Sequence, residues 1–278
     1  MNTGLRGMLP QTLRLFLRKV YYAPRDIIET IRGNRSGLIP PTRMIKSIGG
    51  GDFRKGGAEF LKLFVDVGGL KRTDAVLDVG CGVGRMAIPL TSWLDATARY
   101  EGFDITPEEI RWCQKHITPK FPNFHFQHSD VYSHVYNPTA KTRASEYRFP
   151  FGDGMFDFVF LTSVFTHMLP ADLENYLAEI ARVLKPGGRS FITYFLLNNE
   201  SRELLRQGRS TLDFKFQLDG CMTTDMGAPE SALAYSEESV RILNTKHGLD
   251  VGPRIWYGFW CGRSEHTSYQ DIVVSTRI

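Results

Sequence analysis

From about residue 57 onward, short apolar runs alternate with stretches of helical periodicity. Ala75–Val79 is an apolar run ending in the glycine cluster Gly80, Gly82 and Gly84, after which Met86, Ala87, Leu90 and Leu94 recur at helical spacing. This predicts strand, tight turn, helix. Tyr100–Ile105 predicts a second strand, followed by Thr106 as N-cap, Pro107 at the first helical position and Glu109 at N3, a capping box opening a second helix. Phe124–His128 and Phe156–Leu161 predict the third and fourth strands. Leu173, Tyr176, Leu177, Ile180, Val183 and Leu184 form one helical stripe, which Pro186-Gly187-Gly188 stops. Arg189–Phe195 predicts a fifth strand, Ser236–His247 a helix closed by Gly248, and Ile255–Trp260 and Asp271–Ser275 the last two strands.

Strands alternating with helices predict an α/β fold, a Rossmann-like doubly wound seven-stranded sheet with helices on both faces and ligands beyond the carboxyl ends of its strands. Two stretches break the rhythm, residues 131–149 and 196–235. Each is a candidate binding loop or lid, or else a tolerated surface insertion.

The 278 residues, 42% hydrophobic and 23% charged, have ordinary globular composition, and the formal charge of +4 is too diffuse to imply nucleic-acid binding. It is concentrated at one end. Residues 1–47 hold nine Lys and Arg against Asp26 and Glu29, a charge of about +7, which leaves about −3 for the rest. This segment predicts a basic amphipathic helical extension, with Leu13, Phe16, Leu17 and Val20 on one face. Residues 8–32 are candidates for peripheral contact with an anionic membrane surface, for packing over a cofactor, or for a dimer contact. Gly49-Gly50-Gly51-Asp52-Phe53 follows as a hinge or cofactor-covering loop. Cys81, Cys113, Cys221 and Cys261 show no C-x-x-C spacing and fit reduced thiols. No run approaches the roughly 18 apolar residues of a membrane span, so the expectation is a cytoplasmic protein, at most peripheral to the inner face of the membrane.

The chemistry concentrates in Asp78-Val79-Gly80-Cys81-Gly82-Val83-Gly84-Arg85. Glycines after a strand let a ligand approach the backbone, and the following helix N-terminus favours an anion. The spacing is G-x-G-x-G, not the dinucleotide G-x-G-x-x-G, and Asp78 would repel a pyrophosphate but pair with an ammonium.

With the later landmarks these residues resemble the class I S-adenosylmethionine-dependent methyltransferases over roughly residues 57–195. The landmarks are Asp78–Gly84, Asp104 ending the second strand, Ser129-Asp130-Val131 after the third, Phe156-Asp157, and Leu184-Lys185-Pro186-Gly187-Gly188. The resemblance implies a methyltransferase domain over residues 48–278 with S-adenosyl-L-methionine as cofactor. Its contacts would be Asp78, Gly80, Cys81, Gly82, Gly84 and Arg85, then Asp104 and Ile105 at the ribose. Asp130 and Val131 would meet the adenine, and Thr162 the methionine part. A carboxylate at Asp104 can accept from vicinal hydroxyls and one at Asp130 from an amino group; the alternative for each is a solvated turn aspartate.

His167, just past the fourth strand, is the candidate general base for a hydroxyl acceptor, or else a histidine that caps the helix near Pro170 or packs beside the pocket. His125, His128 and His134 lack ligand spacing, and no metal is expected. Thr166-His167-Met168 with Trp260-Cys261-Gly262-Arg263 resembles bacterial methyltransferases of polysaccharide and secondary-metabolite pathways, which ranks O-methylation of a glycan or small-molecule acceptor first. Nucleic acid is not expected, because no base-flipping signature follows the fourth strand. A nicotinamide oxidoreductase and a non-catalytic protein that docks a membrane or partner are the rival readings.

Overall fold

In the computed structural model, which describes residues 17, 20–28, 38–47, 51–134 and 136–278, Ala75–Val79 (β1) is an interior strand of a sheet. It pairs in parallel with Arg99–Asp104 (β2) and with Phe156–Leu161 (β4). Phe124–His128 (β3) adds to β2 and Leu184–Tyr194 (β5) to β4, again in parallel. Asp271–Arg277 (β11) runs antiparallel between β5 and Leu249–Val251 (β10), giving seven strands in the order β10-β11-β5-β4-β1-β2-β3.

The apolar runs are continuous because both faces are covered. Along β4, Phe158 and Phe160 enter one core cluster while Val159 and Leu161 enter the other. On the first face Phe64 of the helix Phe53–Asp66 (α2) packs edge-on against Phe158 and Phe191. On the second, Pro170–Val183 (α5) seats Leu173, Leu177 and Ile180. Full burial of side chains this size is worth about 1.5–3 kcal/mol each, enough to fix the layers.

Three expectations need correction. Ile255–Trp260 is not a strand; only Trp256, opposite Ile272, and Gly258, opposite Ser268, form isolated bridges. The seventh strand is β10, because Gly248, at φ 71°, turns the chain out of the helix Glu237–Lys246 (α7) directly onto β11, and Gly252-Pro253 then ends it. Thr106 stands at the N-cap of Pro107–His116 (α4) as expected, but without the side-chain bond of a capping box: its Oγ1 donates to Asp104 Oδ1 at 2.5 Å instead. Residues 196–235, expected as a binding loop or lid or a tolerated surface insertion, hold elements of their own. They fold into Leu196–Leu197 (β6), Asn199–Arg206 (α6), Phe216–Leu218 (β7), Cys221–Thr223 (β8) and Leu233–Ser236 (β9), with a second sheet in the order β6-β9-β8-β7. That sheet has its own core of Phe195, Leu204, Phe214, Ala234 and Trp260.

Residues 131–149 stay largely irregular but are tied down. Tyr147 donates to Ser129 Oγ at 2.6 Å, and Asn175 Nδ2 donates to the carbonyls of Ala144 and Tyr147. Of the expected extension, residues 17 and 20–28 are helical and Thr42–Ser47 forms a short helix (α1); Leu13, Phe16, Gly49 and Gly50 lie outside the described residues.

Candidate active site

The parallel strands β1, β2 and β4 end at one level, and the loops leaving them open into a cleft of about 1980 Å³. Pockets for one small ligand usually hold about 300–1,000 Å³, so two ligands fit side by side.

The glycine loop is built to be lean, not to cradle an anion. Gly80 and Cys81 donate their amides to the Phe103 carbonyl at 2.9 and 3.1 Å, Gly82 to Asp104 Oδ2 at 2.8 Å, and Gly84 to the Cys81 carbonyl at 3.0 Å. These four donors are spent within the chain, so the turn itself offers none of them to an anion. Gly80 lines the cleft at φ 81°, and a Cβ there would come within 2.6 Å of Val164 Cγ2. Gly84 has another purpose. It lies outside the cleft lining, and a Cβ would stand 2.9 Å from Ile117 Cδ1, so its lack of a side chain lets the end of α4 pack close.

Two side chains of opposite sign reach the cleft with atoms unsatisfied. Asp78 is 1% exposed; its Oδ2 accepts from Tyr100 Oη at 2.6 Å, while its buried Oδ1 has no partner. Burial pushes its pKa up to about 8 against the Tyr100 bond. Arg85 has Nε and Nη2 buried without partners, over the Phe53 ring at 5.8 Å, and burial lowers its pKa. Leaving such groups unpaired is costly, so the pair fits a ligand carrying both an ammonium and a carboxylate, as the amino-acid end of S-adenosylmethionine does.

Asp104 accepts from Gly82 N, from Thr106 N at 2.8 Å and from Thr106 Oγ1. Burial raises its pKa despite these bonds. A carboxylate offers about four acceptor positions, so one more donor, such as a ribose hydroxyl, is accommodated. Ile105, Val131, Cys81 and Thr162 also line the cleft. Asp130 does not: it is exposed at the rim, where Asn137 Nδ2 donates to it at 3.0 Å.

His167 sits on the 3₁₀ turn Phe165–His167 and faces the cleft. Its Nδ1 bonds the Glu230 carbonyl oxygen at 2.8 Å; since a carbonyl only accepts, Nδ1 carries the proton and Nε2 is the basic nitrogen. Burial lowers its pKa, outweighing the backbone bonds. It does not cap α5, whose N-cap is Leu169.

Several cleft residues escaped the sequence reading. Ser163, at φ 59°, is the one non-glycine residue with positive φ among those described; its amide donates to Thr193 Oγ1 and its hydroxyl to Gln270 Oε1. Strain of this kind gathers at functional turns, but φ is invisible in a sequence. Glu230, from the second sheet's segment, also accepts from His134 N through Oε2 at 3.3 Å, so residues 131–149 and 196–235 meet beside His167. Among the described residues no group of three or more His, Cys, Asp or Glu side chains gathers as metal ligands.

Residues 77–192 match the family described as "Methyltransferase domain". An O-methyltransferase of Penicillium expansum is 32% identical over 119 residues, 42% of this chain and 36% of that protein. The phthiotriol/phenolphthiotriol dimycocerosates methyltransferase of Mycobacterium tuberculosis is 34% identical over 124 residues, 45% of this chain and 37% of its own length. The chain thus spans little more than a third of these curated relatives. Among solved structures, the PH0226 protein of Pyrococcus horikoshii shares the fold, with a TM-score of 0.56 and 19% identity over 83% of this chain and 93% of that one.

Proposed function

We propose that residues 77–192, which match the methyltransferase domain family, form an S-adenosylmethionine-dependent domain of the class I fold, and that the protein methylates a hydroxyl oxygen of a glycan or small-molecule acceptor, with His167 as general base. When bound, S-adenosylmethionine supplies a methyl group activated by its sulfonium, and transfer is an in-line displacement for which alignment is the protein's main contribution. Asp78 takes the ammonium and ionises as it does so, since an adjacent positive charge favours the carboxylate. Arg85 takes the carboxylate. Asp104 accepts from a ribose hydroxyl, with Ile105 and Val131 against the adenine. The rest of the cleft, walled by residues 131–149 and by the segment of the second sheet, receives the acceptor.

The observation that carries this reading is the 2.8 Å bond from His167 Nδ1 to the Glu230 carbonyl, which makes Nε2 the basic nitrogen of a ring that lines the cleft. As the new carbon–oxygen bond forms and the carbon–sulfur bond breaks, the hydroxyl proton passes to Nε2. Burial keeps the imidazole neutral to a lower pH than an exposed histidine, so the base is available at neutrality. The O-methyltransferase among the relatives supports oxygen as the acceptor atom.

His167→Ala tests it. The methyl-transfer rate constant, followed as S-adenosylhomocysteine released, should fall by about 10² to 10⁴ while cofactor affinity stays within a few fold. The parent's rate should climb with pH along a limb centred below the usual histidine value, and the variant should lose that limb. A full rate with weakened cofactor binding would make His167 a cofactor contact instead.

A further inference from the structure

The helical stretch over residues 20–28 points the wrong way for a helix that only stabilises a core. Val20, Tyr21, Ile27 and Ile28 are 54%, 76%, 59% and 48% exposed, and Leu17, also helical, is 46% exposed. At about 100° per residue, Val20, Tyr21, Pro24, Ile27 and Ile28 fall within one arc of roughly 120°. Asp26 falls on the opposite side and is the anchor. It is 2% exposed and accepts from Thr42 N at 2.7 Å and Arg43 N at 3.1 Å, the first amides of α1, with Arg43 Nη1 also within reach. Arg43 continues to Glu108 on α4, so the helix is tied through its polar side to the body of the protein.

The normal amphipathic arrangement is therefore inverted: the acid faces inward and the aliphatic side chains face water. Exposed apolar stripes mark surfaces that are covered in use. The sequence says by what. Residues 1–47 carry nine Lys and Arg against two acids, about +7, while the remainder is about −3. A partner that is both apolar and negatively charged matches this segment. No helix among the described residues is long and apolar enough to cross a membrane, which leaves a helix lying in the interface plane.

We propose that the stripe Val20, Tyr21, Ile27 and Ile28 docks on the surface of an anionic lipid bilayer, its aliphatic side chains in the acyl boundary, with the net positive charge of residues 1–47 drawing the segment to the headgroups. This stands independently of the catalytic reading, since none of these four residues lines the cleft.

The test is co-sedimentation of the full chain with vesicles of phosphatidylcholine alone or with 30% phosphatidylglycerol, at low and high salt. The parent should bind the anionic vesicles and release them as salt rises, because the basic residues act within a Debye length of the surface. The triple variant Val20→Ser, Ile27→Ser, Ile28→Ser should bind at least about tenfold more weakly, given the apolar area removed, and should bind S-adenosylmethionine like the parent, which shows that it is folded. Equal sedimentation of parent and variant, or none by either, overturns the proposal. So does a parent that is dimeric in light scattering, ignores vesicles, and becomes monomeric in the variant, since the stripe would then face a second copy.

Discussion

Two buried aspartates divide the molecule's polar interior into two kinds. Asp271, at the start of β11, is fully buried and surrounded by donors: Leu196 N at 2.7 Å, Gly258 N at 2.8 Å, Trp260 Nε1 at 2.7 Å and Arg263 Nη1 at 2.9 Å. Arg263, 2% exposed at its side chain, bonds Glu200 as well and lies over the Tyr257 ring at 4.4 Å. Asp78 is as deeply buried, yet one of its oxygens has no partner. Burial raises the pKa of both. One is closed within the protein; the other is open to a ligand. The Trp260-Cys261-Gly262-Arg263 segment, which from sequence suggests the acceptor class, belongs to the closed kind: it rivets the second sheet to the start of β11.

If the contrast is sound, the two carboxylates respond oppositely to substitution. The largest effect belongs to Asp271→Ala. Removing one partner of a buried ion pair strands Arg263, and stability in chemical denaturation should fall by about 3–5 kcal/mol. An unchanged midpoint would break the comparison at its firmer end.

Asp78→Asn should do the reverse to the ligand-free protein. The asparagine can still accept from Tyr100, but it places no ionisable carboxyl at this buried position. Asp78 has a folded pKa of about 8, far above its unfolded value, so its favourable contribution is complete in acid and is lost as pH rises toward 8. The variant's gain in melting temperature should therefore widen from pH 5 to pH 8. Its affinity for S-adenosylmethionine should drop by about 1–3 kcal/mol in titration calorimetry, the usual loss when a charged partner is removed. A variant that is less stable and binds normally would place Asp78 with Asp271.

Tyr100→Phe is the finest probe. The tyrosine bond is what holds the Asp78 pKa down against desolvation, so its loss should move the pH dependence of cofactor affinity upward. The accompanying stability change should be only about 0.5–1.5 kcal/mol in thermal unfolding, the net worth of one hydrogen bond. A pH dependence that stays in place would mean that another group governs it.

The same division explains what could be read in advance. β1 to β5 and the α5 stripe were legible because two-sided burial writes itself as unbroken apolar runs with helical punctuation between them. Asp78 and Arg85 stand out in the sequence because they flank the glycines, and Asp104 because it ends the second apolar run. The second sheet is not legible: its strands have two to four residues each, too short for periodicity, and the reciprocal cap of Asn198 and Ser201 at the start of α6 marks a helix and not the sheet. Ile255–Trp260 has a strand's composition, but it folds over the second sheet's core, where Trp260 lies against Phe195 and Phe214. Asp130 failed for a related reason. Its neighbour Asn137 reaches back across the irregular segment, and no periodic pattern encodes such a contact.

The group that orients His167 is a main-chain oxygen. A carbonyl is the same whatever side chain stands at position 230, so substitution there leaves the hydrogen bond intact, and a scan of single replacements would record the position as permissive for that purpose. Length is another matter. Adding or deleting a residue between the end of β8 and Ser231 would carry the oxygen away from the ring while leaving Asp78, Arg85 and Asp104 in place. The orientation of the imidazole is thus inherited as a loop length and not as a residue identity, and homologues that share it can differ freely at position 230 provided they keep the count.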